Sequence, residues 1–310
     1  FFRFHLALSC LFPVRHPFTM DQLIAKEDIV TGIATAFIVG ISFLLIHTAF
    51  HKSLPSKEGA LTRLFVELRR KSFHMIGGGL ICSSYYWGME YGWLSSAYLA
   101  ETNLSDPNGP LDAGAAFLSM SFVAWLWDFS RLNIPAIQRW YLTSFEGLVR
   151  AKEFQKAAGI SYFLPGALAA MLAAPPNVAI LGILYLSIGD AAASLGTAVG
   201  RIPVGTSPRR VEGSIGCVLV CWAVGALVGL PTNIALTSAV VVSVGEVLAE
   251  VIGLDDNLVL PMLGVMGIRI ALAPRFLELS IVMIAGFTGS TLLGLLVVSG
   301  RPKKPVKSAK

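Results

Sequence analysis

Apolar residues in this chain come in long runs rather than in the alternation of a half-buried strand. Nine stretches, at roughly 30–50, 74–94, 113–127, 157–173, 177–199, 213–230, 232–252, 257–274 and 277–299, are dominated by Leu, Ile, Val, Ala and Gly. A run of about 20 such residues crosses a bilayer as helix. Tight turns punctuate them, among them Ala174-Pro175-Pro176 and Leu230-Pro231-Thr232, and proline-containing turns stop helices. The pattern predicts an all-α protein: a polytopic integral membrane helical bundle of about nine transmembrane helices. Residues 30–299 form the membrane-embedded domain, with the motif-bearing core at 69–262. Residues 1–29 are an N-terminal segment read either as targeting sequence or as an artefact upstream of Met20, and 300–310 as a basic cytosolic tail.

Composition strengthens this picture. Of 310 residues, 55% are hydrophobic and 14% charged, where a soluble domain carries roughly 25% charged residues. Mean hydropathy is +0.69. The net charge of +5 is read as setting topology and holding anionic headgroups and phosphates, not nucleic acid. Of the four cysteines, Cys82, Cys217 and Cys221 fall in apolar runs and Cys10 near the start. No nearby His or Cys completes a zinc set, so packing is the expected role.

Charge also orients the bundle. With nine spans, residues 51–73, 128–156, 200–212, 253–256 and the tail fall on one side and hold 19 of the 24 Lys and Arg residues. The opposite loops hold Arg275 alone. The positive-inside rule makes the first set cytosolic. Every polar or glycine-rich cluster that looks chemical maps to that side.

Five constellations stand out. Arg69-Arg70-Lys71 precede His74 and Gly77-Gly78-Gly79; the cations are a topology signal or a phosphate clamp. Asp128 and Arg131 stand three apart, on one helical face, as a structural ion pair or the mouth of a lipid site. Downstream, Tyr141, Phe145, Leu148 and Val149 alternate with Arg139, Arg150 and Lys152, the pattern of a helix lying in the interface.

The third constellation is Gly189-Asp190 through Gly196 and Gly200-Arg201. Asp190 lies about 14 Å below the cytosolic end of its run at 1.5 Å per residue. An aspartate at mid-span costs about 3 kcal/mol on insertion scales, which makes a functional role the default. Such a carboxylate suits Mg²⁺, which takes one or two carboxylates plus nucleotide phosphates. The fourth is Ser207-Pro208-Arg209-Arg210-Val211-Glu212-Gly213-Ser214: two guanidiniums and a helix start make an anion site, with Ser214 alternatively a cap. The fifth gathers Glu246, Glu250, Asp255, Asp256 and Asn257. Four carboxylates in eleven residues need a cation or arginines to offset them. Walker A, kinase H-R-D and G-x-S-x-G strings are absent, which excludes those soluble nucleotide and hydrolase classes.

At these residues the chain resembles the CTP-dependent lipid kinases of membranes: diacylglycerol kinase of the yeast type, dolichol kinase and phytol kinase. The resemblance covers about residues 69–262. It rests on Arg70-Lys71-x-x-His74, Asp128-x-x-Arg131-Leu132-Asn133, Arg150-x-Lys152-Glu153, Gly189-Asp190…Gly196…Gly200-Arg201, Glu212-Gly213-Ser214, and Glu246 with Asp255-Asp256-Asn257…Pro261. It implies transfer of the CTP γ-phosphate to diacylglycerol, giving phosphatidate, at the cytosolic face of the endoplasmic reticulum or nuclear envelope. In one departure, Arg209-Arg210 stand where the family has Lys-Ser/Thr before Glu-Gly-Ser.

The expected site follows from both readings. Asp190, Asp256 and Glu246 are the candidate catalytic residues, and Asp190, Asp255 and Asp256 the candidate ligands of Mg²⁺ or another divalent cation. Arg70, Lys71, His74, Gly196, Gly200, Arg201, Arg209, Arg210, Glu212, Gly213 and Ser214 are expected to hold CTP. Asp128, Arg131, Asn133, Arg150, Lys152 and Glu153 are expected near the diacylglycerol or other lipid alcohol. The alternatives are dolichol or phytol kinase, phosphatidate cytidylyltransferase, or a transporter with intramembrane carboxylates.

Overall fold

The computed structural model describes residues 23–50, 59–99, 111–145, 154–205 and 207–272. The predicted run 277–299, the basic tail, most of the N-terminal segment, and Arg150, Lys152 and Glu153 lie outside the described residues. Within them the chain is helical almost throughout. The helices are α1 Lys26–Phe50, α2 Ala60–Glu90, α3 Ala113–Asn133, α4 Pro135–Ser144, α5 Ile160–Ala173, α6 Pro176–Leu184, α7 Asp190–Val199, α8 Val211–Leu227, α9 Thr232–Ile252 and α10 Asp256–Leu272. A two-residue parallel pair, Leu94–Ser95 (β1) with Leu111–Asp112 (β2), ties the α2–α3 connection, with Leu94 opposite Leu111 and Ser95 opposite Asp112.

A helix thus occupies each of the first eight apolar runs; the basic segment before the second run, expected as a loop, is helical too, and the segment after Asn133, expected to carry an interfacial helix, forms one that starts earlier. α2 begins at Ala60, so Arg69, Arg70 and Lys71 sit on a helix. Leu61, Leu64, Phe65 and Leu68 recur there at three- and four-residue spacing between the charges, which makes an amphipathic turn pattern that a hydropathy window passes over. The segment after Asn133 forms α4, with Pro135 at its first turn, where a proline's missing N–H is harmless.

Three segments among the described residues are long and apolar enough to cross a membrane: Lys26–Phe50, the unit Pro176–Val199, and Thr232–Ile252. The helices α5 and α8 are apolar but shorter. The Pro176–Val199 unit is the centre of the fold. It joins α6 to α7 through a π-helical turn, Tyr185–Gly189, and packs against α2, α8 and α10. Ile180, Leu181, Ile183, Leu184 and Leu186 are wholly enclosed.

Local chemistry sets the element ends. Asp112 caps α3 by accepting the Ala115 N–H at 2.8 Å. Gly253 ends α9 at φ 76°, a left-handed turn that glycine adopts without steric cost, and delivers the chain to α10 within two residues. Polarity is arranged inside out. Ile38, Leu45, Phe122, Val123, Leu219 and Leu248 are exposed, while Lys71, Asp190, Arg131 and Glu246 are buried. An apolar exterior of this extent marks a surface that meets lipid or another apolar partner.

Candidate active site

Five chain segments bring charged side chains into one buried cluster. From α2, Lys71 donates a hydrogen bond and a salt bridge to Asp190 Oδ2 at the start of α7. Both side chains are withdrawn from solvent, at 0% and 1% exposure. His74, one turn on from Lys71, places Nε2 3.7 Å from the same Asp190 oxygen. Its ring stacks on Phe163 of α5, with centroids 5.2 Å apart. Ser194, one turn beyond Asp190, offers its hydroxyl to Oδ1 at 3.4 Å. Asp190 is therefore a counter-ion of a buried lysine, and losing either partner would leave the other's charge poorly balanced.

Arg209 forms the second half. It comes from the loop between α7 and α8, and its guanidinium reaches three carboxylates. Nη1 lies 2.8 Å from Glu246 Oε1, and Nη2 lies 3.1 Å from Asp256 Oδ2 and 3.8 Å from Glu250 Oε2. Burial opposes the charge on Arg209, but Glu246, Asp190, Asp256 and Glu250 outweigh it and hold the pKa above its ordinary value. Glu246 Oε1 has no directed hydrogen bond despite its closeness to Nη1, so that contact is ionic.

The loop carrying Arg209 is held from behind. Glu212, in the first turn of α8, accepts the Arg201 N–H at 2.8 Å and the Ile202 N–H at 3.3 Å. These backbone donors, Arg201 first, lower the Glu212 pKa. Pro203 and Arg210 pair as an antiparallel bridge, and the Ser207 hydroxyl accepts the Arg209 N–H at 3.1 Å. Beneath the loop, α7 and α8 cross at Gly196 and Gly213. A Cβ on Gly196 would stand 2.7 Å from the Gly213 Cα, so the glycines are what permit the approach.

The remaining expected residues fall into place unevenly. Arg70 pairs with Glu67 on its own helix, while Arg201 points outward. Arg210 donates its backbone N–H to Thr197 Oγ1 at 3.4 Å. Gly200 packs beside the Glu212 carboxylate. Ser214 lies a turn inside α8, which starts at Val211 and has no side-chain cap, so it is not the cap that its Gly-Ser context suggests. Asp255 precedes α10 and accepts the Asn257 N–H at 3.2 Å and its side-chain amide at 2.7 Å, the behaviour of a helix cap.

Asp128 and Arg131 build a separate knot. Arg131 donates from Nε and Nη2 to Asp128 Oδ1 at 2.9 and 2.7 Å, and from Nη2 to the Lys156 carbonyl at 2.8 Å. Asp128 Oδ2 accepts the Ala158 N–H at 2.7 Å and the Ser161 hydroxyl at 2.5 Å. Tyr141 covers the guanidinium, with its ring centre 4.5 Å from Cζ. At 0% exposure, Arg131 ties α3, α4 and the approach to α5 together and presents no face to a headgroup in this conformation. Asn133 donates to the Phe129 carbonyl at 2.6 Å on the outer surface. Beside this knot, Trp127, Ala136, Ile137 and Trp140 line an open apolar groove of about 360 Å³ that holds none of the cluster's charges.

Two members of the cluster went unnoticed in the sequence. Ser194 was legible, as the residue four beyond Asp190, and Phe163 carried no signal at all. Among the described residues, no three His, Cys, Asp or Glu side chains are placed to hold a metal by themselves. The donor set nonetheless fits a hard cation that brings its own oxygens. Asp190, Glu246 and Asp256 are buried, with Lys71 and Arg209 among their cationic neighbours and Glu250 at the rim. Mg²⁺ asks for one or two carboxylates when phosphates complete its shell. Neither family models, nor curated proteins, nor solved structures give a match to this chain.

Proposed function

We propose that this protein is a membrane-integral lipid kinase that transfers the γ-phosphate of CTP to diacylglycerol, yielding phosphatidate. The observation that carries the reading is convergence: Lys71, Asp190, Arg209, Glu246 and Asp256, spread over 186 positions of sequence, meet in one buried cluster. In this reading the outward apolar surface faces lipid and about nine helices span the bilayer. The basic loops then lie on the cytosolic side, in the endoplasmic reticulum or nuclear envelope.

Phosphoryl transfer needs placement and charge neutralisation more than covalent chemistry from the protein. Lys71 and Arg209 are the cations that face the cluster, Arg70 stands at its edge, and Arg210 lies behind the loop beside Gly200 and Glu212. Asp256 and Glu246, both ion-paired with Arg209, would ligate Mg²⁺, while Asp190 stays engaged by Lys71 and Asp255 by the backbone and side-chain amides of Asn257. Mg²⁺, when bound, neutralises the charge that develops on the phosphates. The alcohol oxygen bonds to the γ-phosphorus as the bond to the β,γ-bridging oxygen breaks. The hydroxyl proton passes to the Glu246 or Asp256 carboxylate, and CDP leaves. The apolar groove at Trp127 and Trp140, next to the exposed Arg139, supports a lateral position for the lipid.

The test is product analysis with the purified full chain, Mg²⁺ and labelled nucleotide. CTP with diacylglycerol should give phosphatidate. A product from dolichol or phytol moves the substrate within the kinase class, and CDP-diacylglycerol formed from phosphatidate moves the activity to cytidylyl transfer. No labelled lipid from any alcohol, together with ion flux in liposomes, removes the kinase reading.

A further inference from the structure

Exposed aromatic rings collect at two levels of the bundle. At the end of α2, Trp87 stacks on Tyr91 with ring centres 5.6 Å apart, and Tyr91 leans on Trp93 at 5.5 Å. All three are exposed, and Lys26 and Glu90 make a solvated ion pair of 2.7 Å at the same level. At the far end of α3, Trp127 meets Trp140 edge-on at 5.9 Å, next to the exposed Arg139. The Trp93 carbonyl accepts the Leu111 N–H at 3.1 Å, which ties the approach to α3 to the first level. Trp127 lies 16 residues beyond Leu111, and Lys71 lies 16 residues before Trp87. At 1.5 Å per residue, Trp127 and the Lys71–Asp190 pair therefore both stand about 24 Å from the first level. Between the levels the exposed surface is apolar, as at Phe122 and Val123 of α3, Leu219 of α8 and Val240 and Val244 of α9. Among the described residues, no exposed charged side chain falls between them. Helix α1 repeats the spacing: Asp28 and His47, 19 positions apart, bracket an uncharged run of about 28 Å.

We propose that the two aromatic levels bound the hydrocarbon layer of the membrane, and that the charge cluster stands at the inner boundary of that layer. The spacing matches a hydrocarbon core of about 30 Å, and Trp and Tyr rings settle at both edges of such a core because one end is apolar and the other wet. Asp190, read from its apolar run as a mid-span acid, stands instead where α7 leaves the hydrocarbon, which lowers the cost of its charge. The consequence for substrate rests on the kinase reading. The reacting hydroxyl lies at the glycerol level of the inner leaflet, so a lipid alcohol held there meets the cluster without leaving the membrane.

The probe is tryptophan fluorescence of the purified full chain in phosphatidylcholine vesicles, whose acyl chains carry bromine either near the headgroup or near the chain tip. Bromine quenches the indoles it touches. Trp222 stands ten residues past Glu212 on α8, about 15 Å along the axis and so near mid-plane. Trp222→Phe should therefore remove signal quenched mainly by chain-tip bromine. Trp93→Phe and Trp140→Phe should each remove signal quenched mainly by headgroup-side bromine. Phe73→Trp adds an indole two residues from Lys71, and the added signal should also be quenched mainly from the headgroup side. All four positions are exposed, so these changes leave the core packing alone. Chain-tip quenching of the signal added by Phe73→Trp places the cluster at mid-plane and overturns the proposal. Loss of the same quenching profile from Trp222→Phe as from Trp93→Phe overturns the boundaries themselves. The two readings fail separately. The expected depths in a protein that phosphorylates no lipid keep the placement and remove the kinase, and phosphatidate formation with the depths reversed does the opposite.

Discussion

Replacing Asp190 with Ala removes the counter-ion of Lys71 while leaving the ammonium enclosed, and the consequence can be worked from the burial. Lys71 is 0% and Asp190 1% exposed, so the stranded charge has no path to water without opening α2 from α7. Breaking a buried pair on one side costs about 3–5 kcal/mol, a fall in melting temperature on the order of 10 °C for a protein of this size. Replacing both partners by apolar residues of similar volume, Lys71→Met with Asp190→Leu, is about neutral, because each charge's desolvation is removed with its partner. Cys82, Cys217 and Cys221 are buried and unpaired, so a thiol-reactive dye that fluoresces on their exposure, in a Cys10→Ser background, reports unfolding directly. The single change should melt early, and the double change should melt near wild type yet make no phosphatidate. A single variant that melts within about 2 °C of wild type refutes the burial argument. An active double variant removes Asp190 and Lys71 from the chemistry.

Other outcomes follow from the same geometry. Arg131→Lys cannot reproduce the fork onto Asp128 and the Lys156 carbonyl, and should cost about 1.5–3 kcal/mol of stability by thermal unfolding, with little change in KM for the lipid in whatever folded fraction remains. Gly196→Ala pushes a methyl group toward the Gly213 backbone, which cannot give way as a side chain would, and should destabilise by about 1–3 kcal/mol in the same assay. Because Glu212 has a lowered pKa when folded, its bracing is present above the ordinary glutamate range and is lost as pH falls through the folded value. Exchange protection of the Arg201 and Ile202 amides, corrected for intrinsic rate, should therefore fall with pH on the acid side, and Glu212→Gln should flatten that dependence.

Much of this architecture is written in the hydropathy pattern, since a helix stands wherever the described chain carries a long apolar run. The boundaries escaped where charge and apolar residues interleave. The first half of α2 reads as a basic loop because Arg63 and Arg69 break the run, although the apolar residues between them keep helical spacing, whereas the spacing around Tyr141 predicted an interfacial helix but not its start at Pro135. The candidate acids and bases were legible because charge inside an apolar run demands compensation. Their pairing was not, because Lys71 meets Asp190 across 119 positions and only the packing of α2 on α7 decides it. Arg131 illustrates the opposite error: its three-residue spacing from Asp128 correctly implied a shared face, but nothing in the sequence told that Ala158, Ser161 and Tyr141 would close around the pair.

The π-helical turn at Tyr185–Gly189 sets where the Asp190 carboxylate points. Such a turn holds one residue more than the α-helical path would, so winding the same residues as plain α-helix would add one residue's rotation and rise to the path. Everything downstream would then swing by about 100° and slide by about 1.5 Å, carrying the carboxylate off the face that meets α2. A helix regularised in that way would keep its span, its hydropathy and its helix count while the ammonium at position 71 lost the Asp190 carboxylate opposite it. The extra residue thus works as an angular setting, taken up in one wide turn so that the carboxylate stays on the face that meets α2.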